Sequence, residues 1–232
     1  MLFKKILDFF IPNLCLKCKT SVLDYGLCSD CFKSINFITK PYCNICSHPF
    51  TSRAKGKICG SCLKSKPKYV LRSAVEYNED SSQIILTFKH AEGLNLAPYM
   101  AGEMIKAISD IKDDVDLIIP VPLHKLRLLK RTYNQSALLG KIITKDINKP
   151  IDVLSVIRTK NTKSQGNKTY NQRHKNIKSA FKVAKPNNIK GKNILLVDDV
   201  YTTGATLDEL SKTLLKAGAN KIYAVSFAKV VR

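Results

Sequence analysis

The sequence predicts an α/β domain with a central parallel sheet flanked by helices, preceded by a small cysteine-rich domain. Two observations support this fold class. From about residue 71 onward, apolar runs that suit buried strands alternate with segments of helical periodicity. All eight cysteines lie before that point, between Cys15 and Cys62. A chain of 232 residues can hold one ordinary domain and a small one, and the lysine-rich stretch around Pro67 places the boundary between residues 1–68 and 69–232.

The cysteines form four C-x-x-C pairs, which are Cys15/Cys18, Cys28/Cys31, Cys43/Cys46 and Cys59/Cys62. Two thiolates at this spacing can hold one metal ion, and two such pairs complete a tetrahedral site. The segment therefore predicts two structural zinc ions, with sequential or interleaved pairing of the knuckles. Disulfides are the alternative, which a cytoplasmic setting disfavours. Because the segment has few apolar residues, it needs metal in order to fold at its size.

Targeting signals are weak. No apolar run approaches the roughly 20 residues that cross a bilayer. The first ten residues, MLFKKILDFF, have the pattern of a short amphipathic helix that Pro12 and Asn13 end, and no small-residue cleavage site follows. We expect a cytoplasmic protein with no transmembrane segment, and the amphipathic start leaves a peripheral membrane association open.

The chain is strongly basic, with a formal charge of +21 from 39 basic and 18 acidic residues. This charge favours a polyanionic partner or a phosphorylated substrate, whereas a coding bias toward lysine is the alternative explanation. The distribution favours the partner, because residues 153–197 contain eleven lysines and arginines and no acid.

The first elements of the larger domain follow from its apolar periodicity. Alternating apolar residues predict a strand over 71–77. Helical spacing predicts helices over 81–89 and 97–108, which Gly93 separates. The apolar run VDLIIPV then predicts a buried strand over 115–121.

The middle of the domain is polar and basic. The stretch 122–131, PLHKLRLLKR, is expected to form a loop dense in basic residues. A helix over 134–144 and a strand over 153–157 follow. Residues 159–179 are rich in Asn and Lys and lack periodicity, which predicts a long mobile loop.

The stretch 194–206 reads ILLVDDVYTTGAT. Its four apolar residues predict a strand over 194–197 that is buried on both faces. Ligands of such sheets bind at the carboxyl ends of strands, where Asp198 and Asp199 lie. The turn over 202–206 adds N–H groups and hydroxyls at a helix N-terminus, which suit a phosphate. Together they predict a ligand that carries both a diol and a phosphate.

A helix over 205–217 with Gly218 as its C-cap, and a closing strand over 221–228, complete the domain. Other families that place acids after an apolar strand do not fit. A Walker B strand needs an upstream G-x-x-x-x-G-K-[ST] loop, and a dinucleotide site needs G-x-G-x-x-G; neither motif occurs. A receiver domain would continue far beyond the few residues that follow Asp199.

The stretch resembles the phosphoribosyl pyrophosphate (PRPP) signature of type I phosphoribosyltransferases. The resemblance implies that Asp198 and Asp199 bind the ribose hydroxyls through charge-assisted hydrogen bonds. It also implies that Thr202, Thr203, Gly204, Ala205 and Thr206 wrap the 5′-phosphate. Mg²⁺ would bridge the pyrophosphate and the ribose while keeping most of its waters.

Further motifs resemble the ComF family. They are the cysteine-rich front and the stretches FKHAEG (88–93), IPVPLH (119–124) and RTYNQ (131–135). That family is linked to natural competence, so the resemblance implies single-stranded DNA and a competence DNA translocase or helicase as partners. The family usually has glycine where Thr132 stands, which puts the backbone geometry of that turn in question.

Basic residues supply two further sets of candidates. In related transferases the loop after the first core strand carries the pyrophosphate, which implicates Lys125, Arg127 and Arg131. The family's basic loop motif, where Arg158, Gln165, Arg173, Asn176 and Phe181 fall, gives candidates for contacts with DNA, with PRPP or with both: Arg158, Lys160, Lys163, Arg173 and Lys175. His124 is either a neutral surface histidine or a catalytic one, and Tyr133 and Tyr170 are candidates for base stacking.

Two functions fit the sequence. The first is a ComF-type competence protein that binds PRPP and assists the uptake or handling of single-stranded DNA. The alternative is an active phosphoribosyltransferase that transfers phosphoribose from PRPP to a nucleobase or a related acceptor. The sequence shows no convincing pocket for a base, and it assigns no catalytic residue.

Overall fold

A computed structural model describes residues 13–51, 56–162 and 177–231, apart from the side chains of residues 91 and 92. Its strands are β1 Asn13–Leu14, β2 Ser21–Val22, β3 Val70–Glu76, β4 Leu117–Pro120, β5 Val156–Arg158, β6 Phe181–Val183, β7 Asn193–Tyr201 and β8 Lys221–Lys229. Its α-helices are α1 Ser29–Lys33, α2 Gly60–Lys64, α3 Glu79–Phe88, α4 Ala97–Ala107, α5 Lys125–Arg131, α6 Gln135–Ile147 and α7 Ala205–Lys216.

The central sheet has the strand order β3-β8-β7-β4, and all of its pairs are parallel. Alternate residues of β7 point to opposite faces. Leu195 and Val197 pack with α3, α4 and α6 on one face, while Ile194 and Leu196 pack with α7 and Phe181 on the other. The parallel α/β sheet predicted from the sequence is confirmed.

The cysteine-rich segment covers the β3 edge of this sheet. Backbone bonds join Ile38 N to Ala74 O (2.9 Å), Glu76 N to Asn36 O (2.8 Å) and Leu71 N to Ile45 O (2.7 Å). An uncovered parallel edge would expose unpaired N–H and C=O groups. The small domain therefore completes the sheet as well as preceding it.

The prediction of a loop over 122–131 was wrong, because Lys125–Arg131 forms a helix, α5. The Nδ1 atom of His124 accepts a hydrogen bond from Leu126 N (3.3 Å) and caps its first turn. The segment KLRLLKR consists of good helix formers. The loop was predicted from the density of basic residues instead of from this helix propensity.

Other boundaries also moved. The strand expected over 153–157 is β5, which starts later because Asp152 accepts bonds from Leu154 N and Ser155 N (2.8 Å each) in a turn. β5 pairs antiparallel with β6, a strand that the sequence analysis missed. Of the loop expected over 159–179, residues 163–176 lie outside the described residues.

Thr132 ends α5 in the left-handed region, at φ 65° and ψ −21°. A β-branched residue is strained there. We expect Thr132→Gly to raise the free energy of unfolding by about 0.5–1 kcal/mol, measured by thermal unfolding. Asn148→Gly is the matched control at φ 51°; its gain should be smaller because asparagine tolerates this conformation. A lower stability of Thr132→Gly would contradict the strain.

Candidate functional site

The two acids lie within the last residues of β7, which runs on to Tyr201 rather than ending at Val197. The turn 202–206, here called the phosphate turn, leads directly into α7. Gly204 has φ 81° and an added Cβ would lie 2.7 Å from the Tyr201 hydroxyl oxygen. Only glycine fits this position without strain. The end of the strand, the turn and the helix N-terminus therefore follow one another in the order that the sequence predicts.

Asp198 is held from two sides. Its Oδ1 atom accepts hydrogen bonds from Ser136 Oγ (3.2 Å) and from Asp199 N (3.0 Å). Burial raises the pKa of Asp198 to about 7, and the charge of Asp199 adds to the rise; the bonds from Asp199 N and Ser136, and the charge of Lys89, oppose it. The carboxyl is therefore poised to ionise near neutral pH.

Ser136 reaches Asp198 because of the segment before it. Asn134 donates from Nδ2 to Val121 O (3.1 Å) and accepts at Oδ1 from Ser136 N (3.0 Å). This amide ties the start of α6 to the end of the β4 region and caps the helix. The RTYNQ stretch thereby orients a hydroxyl toward the acid pair.

Lys89 is a site residue to which the sequence analysis gave no role. Its Nζ atom lies 3.3 Å from Asp199 Oδ2. The Tyr133 hydroxyl donates to the carbonyl oxygens of Phe88 and His90, the latter at 3.0 Å. The FKHAEG and RTYNQ stretches are thus joined beside the acids. The sequence signal that could have identified Lys89 as a site residue was its position within FKHAEG.

A group of arginines lies near the acids, and Arg158 is close enough to Asp198 to interact with it electrostatically. Burial lowers the pKa of Arg158 to about 10, helped by the charge of Arg127 and opposed by that of Asp198. Burial also lowers the pKa of Arg127, with a further contribution from Arg131. Arg127 and Arg158 both bond to Thr162, through its carbonyl oxygen and its hydroxyl (2.5 Å) respectively. Three guanidinium groups are therefore concentrated next to the carboxyl end of β7.

This arrangement leaves buried donors without acceptors. Among the described residues, Arg158 Nε and Gln135 Nε2 are buried and have no hydrogen-bond partner. Unsatisfied buried donors are costly, and clustered guanidinium groups repel one another. An anion with several oxygens would relieve both costs.

The remaining basic candidates lie elsewhere. Lys125 is exposed on α5, and Lys160 is exposed and donates to Lys178 O (2.6 Å). The Nδ1 atom of His124 is used as a helix cap. Six residues named above lie outside the described residues: Lys163, Gln165, Tyr170, Arg173, Lys175 and Asn176.

The cysteines form two clusters in sequential order. The first cluster contains Cys15, Cys18, Cys28 and Cys31, and the second contains Cys43, Cys46, Cys59 and Cys62; within each, the sulfur atoms lie within 4.8 Å of one another. Each cluster has the same N–H···S bond at 3.3 Å, from Cys28 N to Cys15 and from Cys59 N to Cys43. Four sulfurs at this spacing fit tetrahedral Zn²⁺.

Among the described residues no helix is long and apolar enough to cross a membrane.

Comparison with known proteins identifies both domains. Residues 6–63 match the family model described as a double zinc ribbon domain, and residues 134–230 match the one described as a phosphoribosyl transferase domain. The chain is 34% identical to competence protein F of Haemophilus influenzae, over 95% of this chain and 98% of that one.

Two other relatives have similar coverage. DNA utilization protein YhgH of Escherichia coli K12 is 29% identical over 90% of this chain and 93% of its own length. Competence protein ComFC of Bacillus subtilis is 27% identical over 90% of this chain and 85% of its own length. The chain belongs to the ComF family, in which a double zinc ribbon precedes a domain with the type I phosphoribosyltransferase fold.

Proposed function

We propose that this protein binds PRPP at the carboxyl end of β7 and assists the handling of single-stranded DNA during natural transformation. The observation that carries the first part is the pairing of opposite charges across one site. Asp198 and Asp199 suit a ribose diol, and the arginines with a buried, unpartnered Nε suit a pyrophosphate.

Each part of PRPP has a counterpart in the site. The ribose hydroxyls donate to Asp198 and Asp199, and the 5′-phosphate lies on the phosphate turn at the N-terminus of α7. Arg127, Arg131 and Arg158 take the pyrophosphate. Arg158, expected at a loop that contacts DNA or PRPP, is assigned to PRPP because its guanidinium is largely enclosed. Mg²⁺ fits beside the two carboxylates.

The cellular role rests on the relatives. Proteins named competence protein F and DNA utilization protein match along nearly the whole chain, and the net charge of +21 suits a polyanion. On this proposal the protein is cytoplasmic, carries two structural zinc ions, and delivers or receives DNA next to a translocase or helicase. Its domains meet near residue 68.

Calorimetry with PRPP·Mg²⁺ tests the ligand. The double variant Asp198→Asn/Asp199→Asn should bind at least about 100-fold more weakly, since two charge-assisted interactions are lost. Asp146→Asn, on the exposed face of α6, is the matched control and should bind like the wild type. Unchanged binding by the double variant would refute the site, and normal transformation by cells carrying it would separate PRPP from the cellular role.

Transferase activity is the second candidate, favoured by an acid with a pKa of about 7 in the same site as the guanidinium cluster. Such a group can exchange a proton with an acceptor at neutral pH. Release of labelled pyrophosphate from PRPP across a panel of nucleobases tests this activity. No release with any base would leave PRPP as a bound ligand without turnover.

The affinity for PRPP should depend on pH through Asp198. The ribose hydroxyls need its ionised form, and its pKa is raised to about 7. We expect binding to be about tenfold weaker at pH 6 than at pH 8, with a plateau above pH 8. Calorimetry over pH 5.5–8.5, in steps of about half a unit, checks this.

Titration of the PRPP phosphates gives a pH dependence of its own, so a variant must separate the two. Ser136→Ala removes a hydrogen bond that lowers the pKa of Asp198. The midpoint should therefore move to higher pH in this variant. A midpoint that stays in place would assign the titration to the ligand instead.

A further inference from the structure

A cleft of about 610 Å³ lies between the second cysteine cluster, which lines it with Cys46, Cys59 and Cys62, and residues Thr202 and Thr203 of the phosphate turn. One wall comes from the small domain and includes His48, Ser61 and Lys66. The other wall comes from Thr202, Thr203 and the exposed side of α7, and the end of β8 forms the floor. Its size is in the range of sites that hold a nucleotide-sized ligand.

The lining is positively charged. Four lysines line the cleft, Lys66, Lys68, Lys212 and Lys229. Against them stand one carboxylate among the described lining residues, Asp208, and three zinc-ligand cysteines of the second cluster, Cys46, Cys59 and Cys62. Three of these lysines are exposed, and within the described part of the chain none of the three forms an ion pair. The lysines come from both walls, so their charges face one space.

Lys229 is a fixed charge in the floor, with only 4% of the residue exposed. Its Nζ atom donates to Cys46 O (2.5 Å) and lies 5.1 Å from the centroid of the Tyr201 ring. No described carboxylate forms an ion pair with it. Burial raises the pKa of Cys46 and the charge of Lys229 opposes this rise, so the second cysteine cluster helps to balance this buried cation. The three exposed lysines supply the positive charge that is free to meet an anion.

We propose that this cleft binds the phosphodiester backbone of single-stranded DNA. The inference rests on the proposed role in handling DNA and gives that role a place in the structure. Lysines act as point charges that neutralise phosphates without reading sequence. The cleft contains no described arginine that could grip one terminal phosphate in a bidentate manner. A continuous strand passing along the lysines therefore fits better than a free nucleotide.

The cleft adjoins the proposed PRPP site and shares part of the phosphate turn with it. Thr202 and Thr203 belong to both, but Asp198, Asp199 and Gly204 do not line the cleft. DNA in the cleft and PRPP at the acids would therefore meet at the phosphate turn.

Fluorescence anisotropy with labelled oligo-dT at several salt concentrations tests the cleft in the zinc-loaded full chain. Lys66→Gln/Lys212→Gln removes one charge from each wall. We expect the slope of log K against log[salt] to fall in magnitude by about 1.4 and the affinity to fall about tenfold. The matched control, Lys141→Gln/Lys145→Gln, removes the same charge from exposed positions on α6, so its slope should stay near that of the wild type.

The outcomes separate the two proposals. If the wild type binds oligo-dT and the cleft variant behaves like the control, the cleft is overturned while the role in DNA handling stands. If the wild type does not bind oligo-dT, the role in DNA handling fails, and the cleft with it. If dTMP binds as tightly as the oligonucleotide, the proposal that the cleft binds a DNA strand is also refuted. The cleft variant should still bind PRPP like the wild type, which verifies its folding.

Discussion

Replacing Asp198 by asparagine is expected to stabilise the protein by about 1–3 kcal/mol at pH 8 while abolishing most of its affinity for PRPP. The folded protein raises the pKa of this carboxyl from 3.8 to about 7. Ionised Asp198 is therefore less stable in the native state than in the unfolded chain. Asparagine has no charge to bury, and its Oδ1 atom can still accept the bonds from Ser136 and Asp199 N.

The sign of the pH dependence follows from the raised pKa. Well below its ordinary pKa of 3.8, Asp198 is protonated in both states, so the variant gains nothing. As the pH rises from 4 to 7, the unfolded state releases its proton first and the wild type loses stability. The gain of Asp198→Asn should therefore grow across this window and level off above pH 7. Thermal unfolding in a series of buffers measures it as a shift of several degrees.

Asp199→Asn is the matched control. It also weakens PRPP binding but breaks the ion pair with Lys89 at 3.3 Å, so no comparable gain is expected. A wild type that is as stable as Asp198→Asn at pH 8 would contradict the buried-charge account. An equal increase in the free energy of unfolding in both variants would assign the effect to repulsion between the two acids.

This pairing of a gain in stability with a loss of binding is the expected behaviour of a binding site. The chain keeps a partly buried acid pair and a cluster of guanidinium groups, each unfavourable alone, next to each other. The proposed ligand, with its diol and its pyrophosphate, would offset both costs. The same reasoning explains why Arg158 Nε is buried without a described partner.

The sequence located the acids and the phosphate turn because a strand, a turn and a helix N-terminus follow one another there. The sequence could not predict contacts between distant segments. Lys89 and Arg158 reach the acids only through tertiary packing, and periodicity carries no information about that packing. The same holds for the cleft, since its walls belong to two domains.

Local sequence also misled in one place. The basic residues of 122–131 suggested a loop, although KLRLLKR has high helix propensity and His124 can cap it. For the cysteines the spacing predicted four-cysteine sites but left the pairing open. The grouping of the sulfur atoms in the structure shows that the pairing is sequential.

Loss of the second cysteine cluster is expected to weaken PRPP binding about tenfold, whereas loss of the first should leave it nearly unchanged. The second cluster touches the phosphate turn through a short chain of contacts. Cys46 O accepts from Lys229 Nζ (2.5 Å), and Lys229 lies against the Tyr201 ring. Tyr201 O accepts from Val230 N (2.9 Å), and Gly204 packs beneath its hydroxyl.

The segment of the first cluster contacts helical parts of the larger domain. Lys17 forms an ion pair with Asp80 at the start of α3, and the Tyr25 hydroxyl donates to Asn95 O. Neither contact reaches the phosphate turn. Cys62→Ser and Cys31→Ser therefore form a matched pair that removes one ligand from each cluster.

Each variant should lose one of two zinc ions by metal analysis, and calorimetry should show weaker PRPP binding only for Cys62→Ser. Lys229→Met gives an independent check, because it should weaken PRPP binding while both zinc ions remain. If Cys31→Ser weakens binding as much as Cys62→Ser, the metals act through general folding instead. If Lys229→Met binds PRPP normally, the route through Tyr201 is excluded. The expected pattern would make the second zinc site part of the support of the phosphate turn, since the same lysine anchors both.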